Sequence, residues 1–215
     1  MTSGLEKIIA NVLTALYQPF WFSILLSIMA MFFYLYSTDS ENAGKGFKKS
    51  MKIFLSRFKS DIKFRRLYYL LFYTTMILFR TLLNRSMWMN PVSNVMGGWW
   101  IYKIDSVTGE KIFTTECIEN LILFVPFTYL LLFFVSGKKA YSIRKVTSYA
   151  FLFSLGIEFI QLFLRLGTFQ IADLFYNSVG GFLGAILYYV RMNMRTDNHY
   201  IAGEEVSLDE DNNKS

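Results

Sequence analysis

Cysteine, histidine and charged residues are scarce in this sequence of 215 residues. A single cysteine, Cys117, excludes an internal disulfide framework and a multi-cysteine metal site. A single histidine, His199, excludes a histidine cluster. Only 18% of the residues are charged, whereas soluble domains average about 25%. This polar surface is too small for a water-exposed globule, which argues against a soluble enzyme and against an evenly basic nucleic-acid-binding protein.

Hydrophobic residues, by contrast, make up 53% of the chain and form long runs. A helix that spans about 30 Å of hydrocarbon needs roughly 20 apolar residues, with about 17–25 tolerated. Five segments fall in this range, at residues 12–36, 67–83, 118–135, 146–164 and 174–190. The sequence therefore predicts an all-α integral membrane protein built on a five-helix transmembrane bundle. Pro19 is expected to kink or begin the first span.

Lysine and arginine are distributed unequally between the connecting segments. Sixteen of them lie in the segments 37–66, 136–145 and 191–215, and five lie in the alternate segments. Because cytoplasmic segments carry the excess of positive charge, the N-terminus is predicted to lie outside and the C-terminus in the cytoplasm.

The segment 45–66 carries nine basic residues around a stripe of apolar side chains at helical spacing. The stripe consists of Phe47, Met51, Phe54, Leu55, Phe58 and Ile62. This pattern predicts a cytoplasmic amphipathic helix at the membrane interface, with its lysines on anionic lipid headgroups. No nucleic acid is expected as a partner.

Three regions follow from these patterns. Residues 1–66 form the first span and the basic interfacial segment, and residues 67–192 form a four-helix membrane domain. Residues 193–215 are predicted to be a disordered tail, since acidic residues dominate there and no apolar period is present.

Polar residues within the spans gather at one side of the membrane in this topology. Charged groups inside a bilayer are costly and are candidate functional residues by default. The polar residues predicted in the outer leaflet come from four spans: Arg80, Asn84, Arg85, Glu116, Glu119, Asn120, Glu158, Gln161, Arg165, Asp173 and Asn177. Glu158, Gln161 and Arg165 are three and four residues apart, which puts them on one helix face.

Small and aromatic residues add two further expectations. Gly180, Gly181 and Gly184 are expected to let the fifth span pack closely against the fourth or the third. The outer loop 84–115 is rich in tryptophan and tyrosine, which favour the membrane interface, and segments 99–104 and 111–114 are expected to form a small hairpin.

Three interpretations of the polar cluster remain open at this point. In the first, Glu158 and Asp173 pair with Arg80, Arg85 or Arg165 and cross-link the helices. In the second, the arginines face an anionic lipid headgroup. In the third, Glu158 or Asp173 acts as a general acid or base. The sequence has no phosphate-binding glycine loop and no metal-ligand spacing, so no cofactor and no metal are predicted.

Several motifs resemble those of the VanZ-like family. These are Asn120 with Pro126 in an N-x-x-x-F-x-P pattern, Glu158 with Gln161, Asp173 with Asn177, Gly180 and Gly181, and Asn90 with Pro91. The resemblance covers residues 80–190. It implies a multi-pass protein of the bacterial plasma membrane, mainly in Gram-positive bacteria, whose founding member is associated with lowered susceptibility to teicoplanin-type glycopeptides.

Together with the topology, the resemblance leads to three functional hypotheses. The first is an envelope protein whose outer-leaflet polar pocket binds or remodels a lipid-linked molecule, such as a cell-wall precursor or a lipoglycopeptide, among membrane lipids. In it, Glu158, Gln161, Asp173 and Asn177 shape the pocket. The second is a membrane hydrolase or transferase that acts on lipid-phosphate or acyl groups. The third is a membrane scaffold that binds another envelope protein.

Overall fold

The computed structural model describes residues 4–39, 46–83, 87, 89–104, 109–135 and 141–212. The helices of this part are α1 Gly4–Tyr17, α2 Phe20–Thr38, α3 Phe47–Ser60, α4 Ile62–Leu78, α5 Glu116–Val135, α6 Ile143–Leu164 and α7 Ile171–Asn212. A π-helical segment, Phe79–Leu83, continues α4. Two short antiparallel strands, β1 Tyr102–Ile104 and β2 Lys111–Phe113, pair within the segments where a hairpin is predicted.

Four helices in this part are long and apolar enough to cross a membrane. They are α2, α5, α6 and the portion Ile171–Met194 of α7. Apart from the hairpin, the fold is therefore that of an α-helical, multi-pass membrane protein. Four helices meet these criteria, against five predicted spans. The predicted second span falls on the later part of α4 and on the π-helical segment, and α4 alone has 17 residues.

The first predicted span, 12–36, is divided by Pro19. Helix α1 ends at Tyr17 and α2 begins at Phe20, because proline lacks the backbone N–H that a continuous helix requires at this position. Hydropathy alone does not reveal the break, since both sides are apolar. Helix α1 instead reaches the start of α5, where the Asn11 Nδ2 donates a hydrogen bond to the Thr115 Oγ1 at 2.7 Å.

Helix α3 forms over most of the predicted amphipathic stretch, but part of its apolar stripe packs inside the protein. Phe54 is buried in a cluster with Met31 and Leu35 of α2 and Phe64 of α4. Other members of the stripe remain exposed, among them Phe47. A role for α3 as a helix at the membrane interface thus stays a prediction, with a smaller apolar face available for lipid than the sequence indicates.

Asp61 separates α3 from α4, so Ile62 belongs to α4 and not to the predicted α3 stripe. The Asp61 carboxylate accepts hydrogen bonds from the backbone N–H groups of Lys63, at 2.8 Å, and Phe64. A side-chain oxygen at this position satisfies donors that a new helix leaves unpaired in its first turn. The sequence pattern hides this boundary because the apolar spacing continues across it.

The three C-terminal helices form the centre of the bundle. Helix α7 packs against α5 through Gly180 and Gly184, where an added Cβ atom would overlap the backbone carbonyls of Leu121 and Val125. Close backbone approach of this kind is typical of small residues spaced by four in membrane helices.

Gly181 makes the corresponding close approach to α6. A Cβ atom at Gly181 would lie 2.5 Å from the Cβ of Ala150. The three predicted packing glycines therefore face two different neighbours, with α5 on one side of α7 and α6 on the other.

Helix α7 continues to Asn212, through the acidic segment for which the sequence predicts disorder. Disorder of residues 193–215 stays a prediction.

Candidate functional site

Predicted site residues meet at one end of the bundle, where α4 and α6 end and α5 and α7 begin; we call it the polar end. The Arg80 Nη2 donates to the Glu119 Oε2 at 2.7 Å and links the π-helical segment to α5. The other oxygen of Glu119 accepts a short hydrogen bond from the Thr115 hydroxyl. Arg80 therefore pairs with Glu119, and not with Glu158 or Asp173 as considered from the sequence.

A second pair of cross-links joins α7 to its two neighbours. The Asn120 Nδ2 donates to the Asp173 Oδ1 at 2.7 Å, which connects α5 to α7. One turn further into the bundle, the Asn177 Nδ2 donates to the Ser154 Oγ of α6 at 2.7 Å. Asn177 is buried, so its amide forms a hydrogen bond between helices inside the bundle.

Gln161 closes the end of the π-helical segment. It is buried, and its Nε2 donates to the Thr81 backbone carbonyl at 2.7 Å. The last carbonyls of a helix have no partner within the helix, and an unpaired one is costly when it is buried. Gln161 thus satisfies an acceptor that the end of the π-helical segment would otherwise leave open.

Glu158 likewise forms a hydrogen bond with a backbone group, in its case as the acceptor, at the start of α7. Its side chain is 2% exposed, and its Oε2 accepts the backbone N–H of Gln170 at 2.8 Å. The first N–H groups of a helix lack intrahelical acceptors, and a carboxylate is favoured there by the helix dipole. Glu158 therefore fixes the approach of the chain to α7 from within α6.

Of the two remaining arginine candidates, the structure describes Arg165, which lies at the end of α6. Arg165 is exposed and has a left-handed backbone with φ of 55°, and the Leu166 N–H bonds back to the Gln161 carbonyl at 2.9 Å. This is a Schellman ending of α6, a position usually taken by glycine. Arg85 lies outside the described residues.

Taken together, these side chains hydrogen-bond across helices and to backbone ends. We call them the polar frame, which consists of Arg80, Glu119, Asn120, Glu158, Gln161, Asp173 and Asn177. The frame joins the π-helical segment, α5, α6 and α7 within about one helical turn of the polar end. It supports the interpretation that polar groups cross-link the bundle, with partners that differ from those considered from the sequence.

The loop after the π-helical segment rests on this frame. Backbone N–H groups of Phe169 and Ile171 donate to the carbonyls of Pro91 and Val95, both at 2.8 Å. Gly97 has a φ of 74°, and an added Cβ would lie 2.8 Å from the Gln170 Oε1. The loop thus sits directly on the residue that Glu158 holds.

Above the frame lies an open pocket with a volume of about 500 Å³. Small-molecule sites typically enclose about 300–1,000 Å³. We call it the aromatic pocket; it is lined by Asn94, Gly97, Gly98, Trp99, Trp100, Tyr102, Thr114 and Glu116. Of these, Glu116 belongs to the polar cluster predicted from the sequence, and the others are not predicted site residues. The sequence shows aromatic and glycine residues here, but it does not indicate that the loop and the hairpin enclose a space.

Trp99 anchors the aromatic pocket to α7. Its backbone carbonyl accepts a hydrogen bond from the Tyr176 hydroxyl at 2.6 Å. Its ring packs on Phe175, with ring centroids 5.4 Å apart. Trp100 and Tyr102 are exposed. One wall of the pocket is therefore held rigidly by a membrane helix, while two other aromatic residues remain open to a ligand.

Comparison with known proteins identifies the family. The model of the VanZ/LLP1 family matches residues 20–192. Protein VanZ of Enterococcus faecium is 40% identical over 73 residues, which are 34% of this chain and 44% of that protein. The chain thus matches less than half the length of this relative, and no solved structure matches it significantly. Because the family model covers most of the chain, the resemblance indicated by the motifs is confirmed, and the chain belongs to the VanZ/LLP1 family.

Proposed function

We propose that this protein is a VanZ-like envelope protein that lowers susceptibility to teicoplanin-type glycopeptides by binding a lipid-linked molecule at the polar end. The observation that carries the proposal is the aromatic pocket, which opens at this end and is supported by the polar frame. Family membership and the similarity to protein VanZ also support a VanZ-like role.

The proposal includes an orientation. The bias of lysine and arginine favours five crossings of the plasma membrane, with α4 and the π-helical segment together forming the second. The polar end and the N-terminus then face the outside, and α3 lies at the cytoplasmic surface. An outward-facing pocket is positioned to meet lipid-linked cell-wall precursors and membrane-anchored lipoglycopeptides.

Binding is favoured over catalysis by the state of the two candidate carboxylates. Glu158 is almost fully buried and holds a backbone N–H, and Asp173 accepts from Asn120. Both therefore serve the architecture beneath the aromatic pocket. The pocket itself offers aromatic surface, which suits recognition of a ligand more than proton transfer.

This proposal predicts different outcomes for pocket and frame variants. The double variant Trp100→Ala/Tyr102→Ala removes two exposed rings, so it should fold normally and yet make cells as susceptible to teicoplanin as cells without the protein. Glu158→Gln and Asp173→Asn keep a hydrogen-bond acceptor in place and should retain most of the protection. The measurements are antibiotic susceptibility and envelope lipid composition at equal protein levels.

Trp21→Ala is the matched control, since Trp21 is an exposed tryptophan of α2 away from the pocket. Unchanged lipids together with lost protection in the pocket variant would support binding. Altered lipids, with loss of protection in both isosteric carboxylate variants, would instead establish a membrane enzyme. Full protection by the pocket variant would refute a role for the aromatic pocket.

A further inference from the structure

The aromatic pocket has a distinct charge character. Glu116 is the acidic residue of its lining, and no lysine or arginine is found among the described residues that line it. Three of the lining residues, Trp99, Trp100 and Tyr102, are aromatic. The faces of aromatic rings carry negative potential, so both kinds of lining group attract positive charge.

The Glu116 carboxylate is available to a ligand. Glu116 is exposed and lies in the first turn of α5, where the helix dipole stabilises its negative charge. A Cβ atom built at Gly98 would lie 3.8 Å from its Oε2, so the carboxylate stands beside the glycine pair of the pocket. Within the part of the chain that the structure describes, Arg80 pairs with Glu119, and Glu116 has no ion-pair partner.

Exposed aromatic residues also make the pocket complementary to a positively charged ligand. Trp100 is 77% exposed and Tyr102 is 55% exposed, so their ring faces are open to an incoming group. Aromatic ring faces together with a carboxylate bind organic cations, above all quaternary and primary ammonium groups.

We propose that the aromatic pocket binds the ammonium group of an organic amine, with Glu116 meeting the charge and Trp100 and Tyr102 contacting the attached carbon atoms. This deepens the proposed function and rests on it in one respect, namely that the pocket faces the outside. The amine can belong to a lipid headgroup or to a molecule from the aqueous side.

The test uses the full-length protein in nanodiscs of phosphatidylglycerol, titrated with tetramethylammonium and followed by tryptophan fluorescence. The neutral probe tert-butanol has a similar size and serves as the uncharged comparison. Saturable binding of tetramethylammonium alone is expected. Glu116→Gln should weaken it about fivefold and Trp100→Ala about threefold, as exposed ion-pair and cation–π contacts imply.

Glu110→Gln is the matched control, because Glu110 is a glutamate of the outer loop 84–115 and is not among the residues that line the pocket. This variant should bind tetramethylammonium as tightly as the wild type. Equal thermal stability of the two glutamine variants shows that any loss is not due to unfolding. Equal binding of tert-butanol, or unchanged binding by Glu116→Gln, would overturn the proposal.

A second arm distinguishes the source of the amine. Replacing part of the phosphatidylglycerol by phosphatidylethanolamine should raise the apparent Kd of tetramethylammonium if a lipid headgroup occupies the site. An unchanged Kd assigns the site to amines from the aqueous side, and both results support an amine site. Teicoplanin susceptibility of Glu116→Gln cells is measured separately, so amine binding and protection can each fail independently of the other.

Discussion

Alanine at Gly180 or Gly184 is expected to destabilise the bundle by about 2–3 kcal/mol at each position. Both glycines touch the backbone of α5, where an added Cβ would overlap the carbonyl oxygen of Leu121 or Val125. A flexible side chain can move aside, but a helix backbone moves only if the two helices separate. Separation also loosens the contacts that Asn120 and Asp173 make between α5 and α7.

Gly156→Ala provides the matched control within the same bundle. Gly156 lies in α6, and an added Cβ there meets no atom within 4 Å. Alanine also favours a helix by up to about 1 kcal/mol relative to glycine, so this variant should be as stable as the wild type or more stable. The measurement is the unfolding midpoint in mixed micelles. Equal stability of all three variants would show that α5 and α7 do not approach as closely as described.

Glu158→Ala is expected to release the loop beneath the aromatic pocket. The substitution leaves the partly buried Gln170 N–H without the carboxylate that it donates to, and losing the acceptor of a buried donor costs about 1–3 kcal/mol at most sites. The bonds of Phe169 and Ile171 to the 90–97 loop are adjacent and should weaken with it. Hydrogen exchange at residues 169–171 should therefore accelerate, and protection against teicoplanin should fall.

Glu158→Gln is the control for this prediction, since its amide oxygen can still accept the Gln170 N–H. It should keep slow exchange at these residues and most of the protection. Slow exchange in Glu158→Ala would contradict the role of Glu158 in holding the loop. Rapid exchange with undiminished protection would separate loop order from function.

Hydropathy predicted the three C-terminal spans closely, because a helix in a bilayer must be apolar over its whole length. The spans predicted at 118–135, 146–164 and 174–190 lie within α5, α6 and α7. The N-terminal region was predicted less well. Helix α2 begins directly after Pro19, as the proline indicated, but the part of the predicted span before Pro19 belongs to a separate helix. The break at Asp61 was not predicted, because the apolar spacing continues across it.

Clustering of polar residues was also visible in the sequence, but their partners were not. Opposite charge suggested that Arg80 pairs with Glu158 or Asp173, whereas in the structure Arg80 pairs with Glu119 of α5. Gln161 and Glu158 instead form hydrogen bonds with backbone groups at helix ends. Such backbone partners cannot be recognised from the sequence. The aromatic pocket was missed for a similar reason: backbone hydrogen bonds between residues 91–95 and 169–171, far apart in sequence, position the loop that lines it.

An outward-facing pocket is the claim on which the proposed function depends most directly. Cys117 is buried, so it is replaced by serine, and single cysteines are placed at the exposed Ser93 and Ser56. Ser93 lies in the loop at the polar end, and Ser56 lies in α3. Intact cells are treated with a membrane-impermeant maleimide. Labelling of Ser93→Cys, with Ser56→Cys labelled only after permeabilisation, is the predicted result; the reverse pattern would place the pocket in the cytoplasm and contradict the proposed function.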